Sequence, residues 1–85
     1  MIPPRIESIE ILSDFKIKIF YVNGEMKIYD INKLFKYDFY KKLRQVEYFK
    51  LAKSVGTTIE WPEGEDVDPN ELYNNSVRID DFINS

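Results

Sequence analysis

The residues best equipped for chemistry lie between Thr58 and Tyr73, TIEWPEGEDVDPNELY, where six carboxylates accompany the single tryptophan. Glu60, Glu63, Glu65, Asp66, Asp68 and Glu71 raise two possibilities: oxygen ligation of calcium, or acid–base work by a carboxylate pair. Asp66-Val67-Asp68-Pro69-Asn70 opens like the D-x-D-x-N of an EF-hand loop. The match then fails. The sixth position needs glycine for a sharp turn and is Glu71, and the twelfth needs a bidentate glutamate and is Val77. Paired-carboxylate hydrolysis needs a cleft that raises one pKa, and a chain of 85 residues offers little depth for one.

The same stretch has a structural reading that gives each residue a task. Pro62 keeps Trp61 extended, and Pro62-Glu63-Gly64 turns the chain. Asp68 caps a helix whose first residue is Pro69, where a missing N–H costs nothing. Glu71, three residues after the cap, is placed to complete a capping box. Leu72 and Tyr73 are then expected to fold back near Trp61.

Composition removes much of the remaining chemistry. The chain has no cysteine and no histidine, so thiolate sites, disulfides and the commonest general base and zinc ligand are absent. No catalytic residue, metal or cofactor is expected, and the protein is not read as an enzyme. Its longest apolar run falls far short of the ~20 residues that span a bilayer. The opening MIPPRIESIE lacks the apolar core of a signal peptide, so a cytoplasmic location and no membrane partner are expected. Net charge is −3 but uneven: residues 1–60 hold 11 Lys/Arg and 8 Asp/Glu, whereas 61–85 hold 1 and 7. An acidic C-terminal quarter disfavours nucleic acid there and suits a basic partner.

The elements that must position these groups follow from periodicity. Pro3-Pro4 makes residues 1–4 an extended lead-in. RIESIEIL, Arg5–Leu12, reads as a strand, and Ser13-Asp14 as a turn. In FKIKIFYV, Phe15, Ile17, Ile19 and Tyr21 share one face, with Lys16, Lys18 and Phe20 on the other. Asn23-Gly24 predicts a two-residue hairpin turn that sets Tyr21 opposite Met26 and Ile19 opposite Ile28. Phe20 and Tyr29 then share the lysine-bearing face. Asp30 caps a short helical turn over Asn32–Phe35. Asp38 caps a helix reaching Tyr48, with an apolar stripe of Phe39, Leu43 and Val46. FKLAKS and Thr57–Trp61 predict a second hairpin around Gly56, a helix follows over Asp68–Tyr73, and residues 78–85 are a last short element or a frayed tail. The sum is one domain of α+β class: an antiparallel sheet of about five strands (a three-stranded meander, then a hairpin) with short helices on one face.

These residues resemble a known family. The N-terminal prolines, the alternating strand leading into Asn23-Gly24-Glu25, the Tyr29-Asp30-Ile31 after it and above all TIEWPEGEDVDPNELY are similar to the bacterial domain of unknown function numbered 2442. The resemblance runs from about Pro4 to Tyr73. It implies an α+β fold, no established enzymatic activity and no set of catalytic residues to carry over. It also implies an antitoxin-like or adaptor role beside a small protein encoded in the same operon.

Two surfaces are candidates for binding. Phe20, Tyr29, Trp61, Asp66 and Tyr73 are the candidate contacts for a protein partner, since aromatics on a sheet face are typical interface anchors. A free sheet edge offers a second route, including to another copy of the chain. Lys41, Lys42 and Arg44, interleaved with Tyr40, Tyr48 and Phe49, form the candidate nucleic-acid contact. The negative total charge weighs against that alternative, and a non-catalytic protein-binding module is the preferred reading.

Overall fold

The computed structural model describes residues 2–79. Strands β1 (Ile6–Ile11), β2 (Lys16–Tyr21) and β3 (Met26–Asp30) form an antiparallel meander. Alternation in β2 buries Ile17, Ile19 and Tyr21 on one face and leaves Lys16, Lys18 and Phe20 on the other. A short 3-10 turn, Ile31–Leu34, follows, with the Asp30 carboxylate accepting the Asn32 N–H as expected. A longer 3-10 segment, Asp38–Arg44, leads to one helical turn, α1 (Val46–Phe49). Strands β4 (Lys53–Val55) and β5 (Thr58–Glu60) pair around Gly56, α2 spans Pro69–Asn75, and β6 (Val77–Arg78) closes the order.

The α+β class stands, with the strands divided differently. β1, β2, β3 and β6 make one four-stranded sheet, and β4–β5 is a separate two-stranded hairpin. The hairpin meets the larger sheet through the Ile6 N–H, which donates to Gly56 O at 2.8 Å. The fourth strand comes from the end of the chain: Val77 and Arg78 return beside Ile28 and Lys27 of β3. Residues 80–85 lie outside the described residues.

The β2–β3 register is also one residue away from expectation. Phe20 faces Met26, Ile19 faces Lys27, and Ile17 faces Tyr29. The cause is the turn. Tyr21 N–H donates to Glu25 O and Gly24 N–H to Tyr21 O, so the loop is the three residues Val22-Asn23-Gly24. Gly24 alone takes positive φ, 94°, as the closing residue of such a loop. A one-residue shift exchanges the faces of β3. Tyr29 therefore leaves the lysine-bearing face and is fully buried, and Lys27 arrives on the core side.

The core is filled by Ile6, Ile17, Ile19, Tyr21 and Tyr29 from the sheet against Leu34, Leu43, Phe49, Trp61 and Leu72. Of the expected stripe Phe39–Leu43–Val46, Leu43 alone is buried. A 3-10 backbone turns three residues per cycle, so the inward row is i, i+3: Tyr40 and Leu43. Asp38 lies inside this segment rather than capping it, because Tyr37 occupies the cap position without a side-chain bond.

Candidate functional site

The acidic stretch resolves into a turn and a cap. Trp61 N–H donates to Glu65 O at 2.8 Å and Gly64 N–H to Trp61 O at 2.9 Å, with Gly64 at φ 100°. Trp61 is fully buried, stacks on Phe49 and donates its indole N–H to Phe49 O at 3.0 Å. Glu65 is buried and accepts the Tyr48 hydroxyl at 2.5 Å; that hydroxyl in turn accepts the Glu63 N–H at 2.9 Å. Burial, with the Glu65 carboxylate second, pushes the Tyr48 phenol up to about 12. Asp68 caps α2, accepting from Asn70 N–H at 2.8 Å and Glu71 N–H at 3.2 Å. Glu71 does not close a capping box. It accepts the Tyr29 hydroxyl at 2.8 Å and the Asn75 amide at 2.6 Å, tying α2 to β3. Burial first and this carboxylate second hold the Tyr29 phenol far above its usual range. Among the described residues no three carboxylates gather as a cation cage.

The sequence-predicted contacts are thus dispersed. Trp61 and Tyr29 are core residues. Tyr73 packs edge-on against Tyr21, centroids 5.1 Å apart, instead of against Trp61. Its hydroxyl donates to Glu25, and its carbonyl accepts the Lys27 ammonium at 2.7 Å. Tyr73 and Asn23 both donate to Glu25, and these bonds hold its carboxyl below the ordinary glutamate range. Phe20 stays half-buried on the outer sheet face beside Lys18, and Asp66 is exposed. Of the three basic candidates, Lys42 pairs with Glu63, and Arg44 lies over the Phe35 ring with a bond to Phe35 O. Lys41 is exposed and makes no ion pair among the described residues.

Two features were not anticipated. The first is an apolar groove of 380 Å³ between the β1–β2 turn and α1, walled by Ile11, Leu12, Phe15, Val46 and Phe49. Asp14 and Phe15 in that turn both have positive φ, 61° and 59°. Aspartate tolerates this region, whereas a bulky residue there is a strained outlier. Phe15 is held by edge-to-face contact with Phe35 and Phe49, each at 5.3 Å. The charges at the rim are already answered: Lys16 bonds Asp14 at 3.1 Å, and Lys50 lies 3.7 Å from Glu47.

The second feature surrounds Tyr40. Tyr37 and Phe39 are 51% and 58% exposed and meet the Tyr40 ring edge-on, at 6.5 and 4.9 Å. The Tyr40 hydroxyl donates to Asp66 O at 2.7 Å. Burial, then the carboxylates of Asp66, Glu71 and Asp68, raise its pKa. Lys33 and Lys36 line a cleft here with Tyr37, Tyr40 and Glu71. Periodicity could have found this surface, since Tyr37, Tyr40 and Leu43 recur at i, i+3; the groove left no sequence signal, because it arises where turn and helix meet.

No described helix is long and apolar enough to cross a membrane. A model of the family described as "Protein of unknown function (DUF2442)" matches residues 6–78. No curated protein and no solved structure matches the chain.

Proposed function

We propose, from the premise that the chain belongs to the DUF2442 family, that it is a protein-binding module without catalysis of its own. The observation that carries this reading is the groove beside α1. It is apolar, concave and walled by Phe15, a residue kept in a backbone conformation that costs about 1–3 kcal/mol. Its rim charges are neutralised within the chain, so the fitting occupant is an uncharged apolar side chain on an extended segment of another protein. An antitoxin-like or adaptor role toward a small protein encoded in the same operon is consistent with such a site. The nucleic-acid alternative is weaker, because Lys42 and Arg44 are already engaged by Glu63 and Phe35.

The test is co-expression with the product of the neighbouring gene. A complex of fixed stoichiometry is expected, lost in Val46→Asp. Val46 is 49% exposed, so this change places a carboxylate in the groove wall without emptying the core. A complex that survives Val46→Asp unchanged would remove the groove from the reading; no complex at all would remove the reading itself.

A further inference from the structure

We propose that Asn23-Gly24 is a site of self-modification, where the asparagine amide is lost to the chain's own backbone, and that Glu25 holds the site shut while the chain is folded. Asparagine is among the chemically labile side chains. The lability is greatest before glycine, whose amide nitrogen no side chain shields. Glycine is required here by the turn, since Gly24 takes φ 94°, and a Cβ built on it would meet nothing within 4 Å. Asn23 and Gly24 are both exposed, and a cleft of 280 Å³ bounded by Asn23, Gly24, Glu25 and Arg78 opens them to water. The reaction closes a cyclic imide. The Gly24 nitrogen attacks Asn23 Cγ, the Cγ–Nδ2 bond breaks, and the proton from Gly24 leaves with Nδ2 as ammonia. Water then opens the imide at either carbonyl, giving aspartate or isoaspartate at this position.

In the folded chain every group that must react is held. Gly24 N–H donates to Tyr21 O at 3.0 Å, Asn23 Oδ1 accepts the Glu25 N–H at 3.0 Å, and Asn23 Nδ2 donates to the Glu25 carboxylate at 2.6 Å. One orientation of the amide alone satisfies both Glu25 contacts. Glu25 is anchored in turn by the Tyr73 hydroxyl at the end of α2. Imide formation takes the proton from Gly24 and expels Nδ2, so it breaks the first and the last of these bonds. The product then alters the turn that made it. A carboxylate at position 23 faces that of Glu25 across the former amide contact, and like charges repel there. Isoaspartate adds a methylene to the main chain between Tyr21 and Glu25. Either product loosens the tie between this turn and α2, so a single opening leaves a permanent mark. The site is separate from the groove beside α1.

The experiment incubates the full chain in neutral buffer made with heavy-oxygen water, with and without urea, and follows label uptake at Asn23 by mass-spectrometric peptide mapping. Uptake is expected in urea, and about tenfold or more slowly in the folded chain, where the turn must open first. Glu25→Ala speeds uptake in the folded chain about threefold or more, because it frees Nδ2. Tyr73→Phe, which frees Glu25 from its anchor, acts in the same direction and serves where the alanine variant does not fold by circular dichroism. Glu65→Ala loosens the chain at another turn and leaves the rate at Asn23 unchanged. No uptake at Asn23 in urea overturns the inference, as does equal uptake in the folded and unfolded chain. A rate in Glu25→Ala no faster than in the parent chain removes Glu25 as the guard. Equal acceleration by Glu65→Ala makes global unfolding the route and overturns the gate.

Discussion

Two buried tyrosines make opposite predictions for the same substitution. The Tyr21 hydroxyl is buried and has no hydrogen-bond partner among the described residues. Leaving such a group unpaired costs about 1–3 kcal/mol, so Tyr21→Phe should be neutral or raise stability by about 1 kcal/mol. The ring and its edge contact with Tyr73 remain. The Tyr48 hydroxyl bonds the Glu65 carboxylate and the Glu63 N–H, and Tyr48→Phe leaves both without it. Loss of a bond to a charged group costs about 1.5–3 kcal/mol, and the orphaned N–H adds to that. Stability should fall by about 2–4 kcal/mol, a large share of the about 4–13 kcal/mol typical for 85 residues. Urea titration followed by Trp61 emission is the assay, because the only tryptophan is fully buried on Phe49 and reports the core. At about 4–8 °C per kcal/mol the two melting temperatures should move in opposite directions or differ by at least about 8 °C. Tyr21→Phe losing more than about 1 kcal/mol would mean that the hydroxyl is satisfied in solution, and the unpaired-group reasoning would be refuted.

Asp68→Ala removes the bonds to Asn70 and Glu71 N–H and should cost about 1 kcal/mol; an unchanged urea midpoint would count against the cap. Glu65→Ala opens the pair with Tyr48 and should cost about 2–3 kcal/mol. Asp66→Ala, at an exposed carboxylate, should stay within about 0.5 kcal/mol. Unfolding at equal Glu65 and Asp66 cost would contradict the assignment of one acid to structure and the other to the surface. Five phenols (Tyr21, Tyr29, Tyr40, Tyr48 and Tyr73) have raised pKa values in the folded state. Their contribution is complete below the ordinary tyrosine pKa of about 10 and is lost as pH climbs toward the Tyr48 value of about 12. Absorbance at alkaline pH should show these tyrosines ionising together with unfolding; gradual ionisation of a folded chain would contradict it. Glu25 runs the other way: its lowered pKa gives stability that is present above the ordinary glutamate range and is lost on acidification. Tyr73→Phe, which removes the largest cause, should flatten that acid limb.

Most elements follow from local chemistry that reads in one direction. Asp68-Pro69 starts a helix because proline loses nothing at the first helical position and aspartate reaches the free N–H groups. The Ile/Lys alternation of β2 buries its isoleucines whichever partner it takes. The failures come where a local signal had two solutions. Asn23-Gly24 fits a two-residue turn, yet Val22-Asn23-Gly24 closes with glycine alone at positive φ. The longer loop wins in a register that puts Tyr29 within reach of Glu71 and Lys27 beneath the Tyr73 ring, at 3.8 Å from its centre. Both are contacts with α2, more than forty residues away, and no window around the turn contains them. The Phe39–Leu43–Val46 spacing was a good α-helical stripe, but the segment is 3-10 and breaks at Gln45, whose ψ of 111° is extended. The exposure of Phe39 and Val46 was illegible for a related reason, since the stripe expected to be core is the part left outside.

The shifted register also explains the acidic stretch. Tyr21-Val22-Asn23-Gly24-Glu25 and Trp61-Pro62-Glu63-Gly64-Glu65 are the same turn: a buried aromatic, two loop residues, a glycine at positive φ and a glutamate. The pair of backbone bonds is the same in both. Each glutamate also receives a tyrosine hydroxyl from elsewhere in the chain, Glu25 from Tyr73 and Glu65 from Tyr48. The first carboxylate binds the end of α2 to the meander, and the second binds the end of α1 to the second hairpin. A fold of short strands and single helical turns has little interior with which to fix its pieces, and charge-assisted bonds at two matched turns supply part of that fixing. The glutamate that looked most like chemistry, Glu65, is therefore a structural partner of Tyr48. Among the described residues, by contrast, Asp66 and Lys41 form no ion pair, and the rings of Tyr37 and Phe39 stay half-exposed.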